Sequence, residues 1–235
     1  MPTAIITGAS EGIGAGLVER FLAEGYDVVG TARHATQQLR PSSRLLLVDG
    51  DIGQPETAVE VVRKAVDHFG AIDLLVNNAG IYRSKPFPDY TAEDLDALLS
   101  VNLRGFVQVT QLAVKQMLAQ KSGAVISISA ALADHPIAGV DAAVSMMTKG
   151  GLNTITRSLA IEYAKAGLRF NAVAPGVVNT NLHQDAPQDH LRSLQPMGSF
   201  AEVKDIVDAV LYLSRARQVT GHVLYVDGGA HVGRW

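Results

Sequence analysis

Three glycines near the start of the chain could bring the backbone close to a phosphate group. Gly8, Gly12 and Gly14 lie in the segment TGASEGIG, after a short apolar run at residues 4–6 and before an amphipathic helix pattern. Glycines permit close approach of a ligand, and the free amides of a helix N-terminus attract a pyrophosphate. The spacing G-x-x-x-G-x-G therefore predicts the first half of a dinucleotide-binding unit, although an ordinary glycine-lined turn could have the same residues.

The second predicted strand, at residues 26–32, is followed by a cation rather than a carboxylate. In dinucleotide folds a carboxylate here binds the ribose hydroxyls, whereas a basic residue suits a 2′-phosphate. Arg33 stands at this position and could pair with that phosphate through two hydrogen bonds. NADP(H) is therefore favoured over NAD(H), although Glu11 adds a negative charge nearby and most arginines are simply solvated.

The elements that must position these residues alternate between buried strands and helices. Strands are predicted at residues 4–6, 26–32, 44–49, 72–76, 125–129, 168–174 and 222–226, with long helices at 91–120 and 142–166 and a shorter one at 203–213. Such alternation implies right-handed βαβ crossovers and a parallel sheet. We expect one α/β domain over residues 1–235, a Rossmann-type doubly wound fold with a seven-stranded parallel sheet and helices on both faces. The polar segment 179–199 is expected to form a mobile flap.

Composition excludes several classes of function. The chain of 235 residues has a formal net charge of -3 and no cysteine, which argues against a nucleic-acid partner, thiolate catalysis and Cys-ligated metal. No apolar run approaches the roughly 18 residues of a membrane helix. The sequence starts directly with a strand rather than a signal peptide. We expect a cytoplasmic protein with no membrane partner and no metal.

Several motifs occur in the order and spacing of one protein family. They are TGASEGIG (7–14), NNAG (77–80), Asn102, Lys149, NAVAPG (171–176) with Thr180 beyond, and TGHVLYVDGG (220–229). Along its whole length the chain resembles the short-chain dehydrogenase/reductase family. The resemblance implies an NAD(P)(H) site above the strand ends, a small-molecule substrate, and a homotetramer or homodimer formed through the two long central helices.

The resemblance also assigns residues to parts of the cofactor site. The pyrophosphate would be lined by Thr7, Gly8, Ser10, Gly12, Ile13 and Gly14. The adenine would be flanked by Asp51 and Ile52. The ribose and the centre of the sheet would lie against Asn78, Ala79 and Gly80. The nicotinamide carboxamide would be held by Pro175, Gly176, Val178 and Thr180.

The catalytic helix departs from the family pattern. The family's tetrad is Asn, Ser, Tyr and Lys, with the tyrosine four residues before the lysine. Asn102 and Lys149 match their positions, and in the family this lysine also holds the ribose. Ser145 stands where the tyrosine should be, and no tyrosine lies between Tyr90 and Tyr163.

The serine of the tetrad is also displaced. The family's strand aligns with residues 123–130 so that its catalytic serine falls on Ala130. Ser129 is adjacent, but neighbouring strand residues point to opposite faces of a sheet. Ser129 could serve only if a bulge turned it towards the site.

These changes leave the source of a proton open. A phenol has a pKa near 10 that a neighbouring lysine can lower, whereas the hydroxyl of Ser145 is a far weaker acid. Lys149 could act as the acid, His135 or Asp134 in the following loop could relay a proton, and a water chain ending at Asn102 could do the same.

Three functions remain open on the sequence. The first is an NADP(H)-dependent oxidoreductase acting on a carbonyl or alcohol, with a proton-transfer site rebuilt from Asn102, Lys149, Ser145 and Ser129. The second is a cofactor-binding regulator or partner subunit that has lost the chemistry. The third is a non-redox lyase or isomerase on the same scaffold.

The cofactor type can be tested at Arg33. The change Arg33→Ala should weaken NADPH binding about tenfold or more, because charge-assisted hydrogen bonds to the 2′-phosphate are lost. NADH binding should be unaffected, since NADH lacks that phosphate. Fluorescence titration with both cofactors measures the ratio, and an unchanged NADPH-to-NADH preference would show that the assignment is wrong.

Overall fold

A seven-stranded parallel sheet organises the chain. The structure is a computed structural model that describes residues 1–183 and 187–233. The strands follow the spatial order β3-β2-β1-β4-β5-β6-β7, and every neighbouring pair is parallel. They are β1 Thr3–Thr7, β2 Asp27–Ala32, β3 Leu45–Asp49, β4 Leu74–Asn77, β5 Gly123–Ile128, β6 Leu168–Pro175 and β7 Val223–Val226. The strand order reverses between β1 and β4, where α/β sheets bind ligands.

Helices cover both faces of the sheet, which confirms the predicted fold class. They are α1 Gly12–Ala23, α2 Ala35–Gln38, α3 Pro55–Phe69, α4 Ala92–Leu99, α5 Gly105–Gln120, α6 Ala143–Tyr163, α7 Gln188–Ser193 and α8 Val203–Arg215. Apolar side chains of α1 and α8 pack on one face, and those of α3, α5 and α6 pack on the other. Within the described ranges, no helix combines the length and apolar character needed to cross a membrane.

The structure refines several predicted boundaries. The helix expected at 91–120 consists of α4, a π-helical turn at Ser100–Arg104, and α5. The helix expected at 142–166 is α6 followed by a 3-10 turn at Ala164–Ala166. The short helices α2 and α7 were not predicted. The proposed flap contains α7, and residues 184–186 of it lie outside the described residues.

Hydrogen bonds join the end of β1 to the end of β4. The buried hydroxyl of Thr7 accepts the backbone N–H groups of Asn78 and Ala79, each at 3.0 Å. The side-chain amide of Asn78 donates to the carbonyls of Thr7 and Gly8, also at 3.0 Å. The glycine turn after β1 and the loop after β4 are therefore held against each other.

This connection can be tested on β1 itself. Replacing Thr7 by the isosteric valine removes the acceptor of the Ala79 N–H and leaves the Asn78 N–H only the carbonyl of Val76, at 3.1 Å. An unsatisfied group costs about 1–3 kcal/mol, so we expect the free energy of unfolding, measured in urea, to fall by about that amount.

Thr3 provides the matched control for that substitution. It lies on the same strand, is fully buried, and its hydroxyl has no hydrogen-bond partner. Thr3→Val should therefore be neutral or stabilising. Equal losses in Thr7→Val and Thr3→Val would contradict a special role for the Thr7 hydroxyl.

Candidate cofactor and active site

The glycine turn requires its glycines for steric reasons. Gly8 and Gly12 have positive φ angles of 64° and 52°, a region that favours glycine. A Cβ added to Gly14 would lie 1.9 Å from the carbonyl oxygen of Gly8, so no larger residue fits there. The turn is thus as close-packed as a phosphate-binding turn must be.

The N-terminus of α1 is open towards this turn. Glu11 is the N-cap residue, but its backbone is extended and its side chain makes no capping hydrogen bond. The first amides of the helix, from Gly12 to Gly14, therefore remain for another acceptor. Ser10 is half-buried in the same turn. These donors fit a pyrophosphate at a helix N-terminus.

The loop after β6 lies over the same turn. Pro175 ends β6, and the N–H of Gly176 donates to the carbonyl of Val226 at 3.0 Å. Val178 is buried and forms an isolated bridge with Ala201. The methyl group of Thr180 lies 3.4 Å from where a Cβ of Gly12 would stand. The structure thus brings the predicted pyrophosphate and nicotinamide segments together.

The adenosine end of the predicted site lies at the ends of β2 and β3. Arg33 is exposed directly after β2. Asp51 is exposed and accepts the N–H of Gly53 at 2.8 Å, while Ile52 is buried beneath it. Asp49 at the end of β3 is hydrogen bonded to Thr36, and these bonds lower the pKa of its carboxyl group.

Asn102 is placed in the π-helical turn and is buried, with 2% of its surface exposed. Its side-chain oxygen accepts the N–H of Ile81 at 2.8 Å, and its Nδ2 donates to the carbonyl of Ile81 at 3.0 Å. The second Nδ2 hydrogen is directed to Thr148 Oγ1 at 2.9 Å. π-Helical turns are frequent at functional sites because they redirect side chains. Here the turn directs Asn102 at the loop after β4.

Lys149 lies beside Asn102 at the end of β4. Its Nζ donates to the carbonyl of Ile128 at 2.8 Å. A Cβ on Gly80 would lie 3.0 Å from that Nζ and 3.3 Å from Oδ1 of Asn102, so an added side chain would crowd both groups. Burial lowers the pKa of Lys149 to about 8 because the charged form loses its hydration. The two retained tetrad residues therefore converge on Gly80.

Ser145 is hydrogen bonded to the backbone of the loop after β4. It is 1% exposed, and its hydroxyl donates to the carbonyl of Arg83 at 2.8 Å and accepts the N–H of Arg83 at 2.9 Å. The single proton of this hydroxyl is therefore held by a backbone carbonyl. The geometry favours an anchoring role for Ser145 over proton donation.

Ser129 turns towards α6. Strand β5 ends at Ile128, and the hydroxyl of Ser129 donates to the backbone carbonyl of Lys149 at 3.2 Å. Ala130, at the family's serine position, is extended with φ -157° and has no side-chain hydroxyl. The two serines that the sequence offered as substitutes thus each bind a backbone carbonyl.

The polar residues of the loop after β5 face β7. Asp134 accepts hydrogen bonds from Tyr225 and Asn153, each at 2.7 Å. Burial and the bond to Asp134 raise the pKa of Tyr225 to about 12. The ring of His135 packs edge-on against Tyr225 at 5.3 Å, and His231 stacks on Tyr225 at 4.2 Å. These contacts do not favour the proton relay through Asp134 or His135 that the sequence left open.

Sequence reasoning missed the loop at residues 81–85. Arg83 and Lys85 both form ion pairs with Asp94, whose carboxylate is only 5% exposed. Tyr82 lies between the two backbone segments bound by Asn102 and Ser145 and is half-buried. No sequence motif covers these residues, and only their position after NNAG indicated that they border the site.

Comparison with known proteins agrees with this geometry. The family profile described as Enoyl-(Acyl carrier protein) reductase matches residues 8–231. The chain belongs to the short-chain dehydrogenase/reductase family. One relative of this short-chain dehydrogenase/reductase is the granaticin polyketide synthase putative ketoacyl reductase 2 of Streptomyces violaceoruber. It is 36% identical over 244 residues, which cover 98% of this chain and 96% of that protein.

Other similar proteins include further reductases. L-xylulose reductase of Mesocricetus auratus is 36% identical over 239 residues, covering 96% of this chain and 95% of its own. Among solved structures, ElxO with NADP bound aligns at a TM-score of 0.91 with 28% identity over 99% of both chains. The 3-ketoacyl-(acyl-carrier-protein) reductase from Brucella melitensis complexed with NADH aligns at 0.90 with 29% identity over 98% of both.

Proposed function

We propose that the protein is an NADP(H)-dependent oxidoreductase that interconverts a carbonyl and an alcohol. The observation that carries this proposal is the convergence of Lys149 and Asn102 on Gly80, next to the glycine turn. The reductases among its relatives support the reaction class. Residues 1–235 would act as a single cofactor-binding domain.

The residues present fit a nicotinamide dinucleotide. The uncapped N-terminus of α1 and the close-packed Gly8–Gly14 turn would hold the pyrophosphate. The segment 175–180 would hold the carboxamide, and the pair Asp51 and Ile52 would flank the adenine. When bound, the cofactor supplies or accepts a hydride.

The preference for NADP(H) rests on this chain's own residues. Relatives are described with NADP and with NADH, so neither cofactor follows from similarity alone. Arg33 is exposed at the end of β2, where it could reach a 2′-phosphate. The carboxylate of Asp49 is held by Thr36 at the start of α2. These placements favour a phosphorylated ribose.

Lys149 would provide a positive charge that stabilises the oxygen of the carbonyl during reduction. Hydride addition to a carbonyl carbon leaves negative charge on its oxygen, and fixed charges in a dry site stabilise that charge strongly. The half-buried ammonium of Lys149 is anchored to the carbonyl of Ile128, so its position is fixed before a substrate arrives. Asn102 would act by holding the loop at Ile81.

The charge of Lys149 predicts the pH dependence of reduction. Its pKa of about 8 means that the ammonium form is present below that value and is lost above it. We therefore expect kcat/KM for carbonyl reduction to fall as the pH rises through about 8. Lys149→Met should remove this dependence and lower kcat/KM by about 10²–10³-fold.

Lys165→Met is the control for that measurement, because Lys165 is exposed on the 3-10 turn after α6. It should keep both the rate and the alkaline decline. A wild-type profile that is flat through this range would contradict the role given to Lys149.

A turnover assay tests the reaction class. Wild-type protein should oxidise NADPH in the presence of at least one member of a panel of aldehydes, ketones and α-diketones. Tight NADPH binding without turnover of any member of the panel would instead favour the regulator or partner subunit. Product formed without any change in NADPH absorbance would favour a lyase or isomerase.

We also propose a homodimer or homotetramer formed through α5 and α6, in a cytoplasmic protein. Both helices carry exposed apolar side chains on their outer surfaces, among them Val107 on α5 and Met147 and Ile161 on α6. Ile161 is 81% and Met147 53% exposed, so the outer surfaces of these helices leave apolar area uncovered, as interaction surfaces do. A second copy of these helices would bury this surface.

The assembly can be tested at Ile161. Ile161→Glu should lower the mass measured by sedimentation, because it places a charge in the apolar contact. Val59→Glu is the control, since Val59 is 53% exposed but belongs to α3 rather than to α5 or α6. A monomeric mass for the wild-type protein would show that the proposed assembly is wrong.

A further inference from the structure

The loop after β4 is held by two side chains from different helices. Asn102 binds both the N–H and the carbonyl of Ile81, and Ser145 binds both the N–H and the carbonyl of Arg83. In an extended segment, the polar groups of alternate residues point to the same side. Tyr82 is therefore fixed between two anchored residues, and its backbone has little freedom.

The phenol of Tyr82 lies near the start of α6. It is hydrogen bonded to Ser84, whose hydroxyl donates to the carbonyl of Asp141 at 2.8 Å. Asp141 lies two residues before α6, and Ser145 is in the first turn of that helix. Tyr82 also follows Gly80, on which Lys149 and Asn102 converge, by only two residues.

The hydroxyl group that bonds this phenol belongs to an exposed residue. Tyr82 is half-buried, whereas Ser84 and Asp141 are exposed. Burial raises the pKa of Tyr82, so the phenol keeps its proton at neutral and mildly alkaline pH. A protonated phenol with a hydroxyl leading to water can donate a proton and regain one.

We propose that Tyr82 supplies the proton for carbonyl reduction, so that the phenol comes from the loop after β4 rather than from α6. This inference rests on the proposed oxidoreductase function. As the carbonyl carbon accepts a hydride from NADPH, the C=O π electrons move to oxygen, and that oxygen takes the phenol proton. NADPH is oxidised to NADP⁺, the carbonyl is reduced to an alcohol, and the phenolate regains a proton from water through Ser84.

The positive charge of Lys149 complements this step. It would stabilise the oxygen anion before proton transfer and the phenolate after it. Ser145, which stands at the tyrosine position of the tetrad, then has a different role. Its hydroxyl binds the backbone of Arg83 and thereby positions Tyr82. The other candidates are engaged elsewhere, with Ser129 bonded to the carbonyl of Lys149 and Asp134 bonded to Tyr225.

The experiment compares two tyrosines of the same loop region. Tyr82→Phe removes the proton donor and keeps the ring, so kcat for the fastest-reduced carbonyl of the panel should fall by about 10²–10⁴-fold. KM, the NADPH dissociation constant and the melting temperature should be unchanged. Tyr90→Phe is the matched control, because Tyr90 donates to the carbonyl of Arg83 at 2.7 Å. It should retain kcat within a few-fold if loop anchoring alone is disturbed.

Other outcomes overturn the inference in distinguishable ways. Full activity of Tyr82→Phe would show that another group, Lys149 first among them, donates the proton, while leaving the oxidoreductase function intact. Equal losses of kcat in Tyr82→Phe and Tyr90→Phe would show that Tyr82 only positions the loop. Absence of reduction by the wild-type protein would remove both the function and the inference.

Discussion

The hydrogen bonds between Thr7 and Asn78 set the geometry of the whole carboxyl edge of the sheet. They join the last residue of β1 to the first residue after β4, across the point where the strand order reverses. Because Gly14 packs against the carbonyl of Gly8, the glycine turn has no space to move independently of them. The part of the site that would bind phosphates and the part that begins at Gly80 therefore share one rigid frame.

This frame explains how the half-buried Lys149 can be held so close to the loop. Gly80 follows Asn78 by two residues, and its missing side chain leaves room for Nζ of Lys149 and Oδ1 of Asn102. Neutral hydrogen bonds then hold the loop at Ile81 and Arg83. At its end, the side chains of Arg83 and Lys85 form ion pairs with Asp94. A carboxylate as buried as that of Asp94 is costly without such partners, so the loop and α4 stabilise each other.

The fold and the glycine turn could be predicted from sequence because each depends on local patterns. Strand runs and closely spaced glycines are visible within a few residues, and the structure contains both. Ser145 could not be placed in this way, since its partner Arg83 is 62 residues distant and a hydroxyl can bind any backbone group. The π-helical turn around Asn102 likewise gave no signal, because it inserts into a helix pattern without changing its residue types.

The two hydrogen bonds between Ser145 and Arg83 couple two distant stretches of the sequence. A side chain larger than serine at position 145 would meet the backbone of Arg83, because the hydroxyl already lies 2.8–2.9 Å from that backbone. A tyrosine could return to the helix only together with a change in the loop at residues 81–85 that vacates this space. We therefore expect substitutions at the two places to depend on each other, so that the effect of one is set by the residue present at the other.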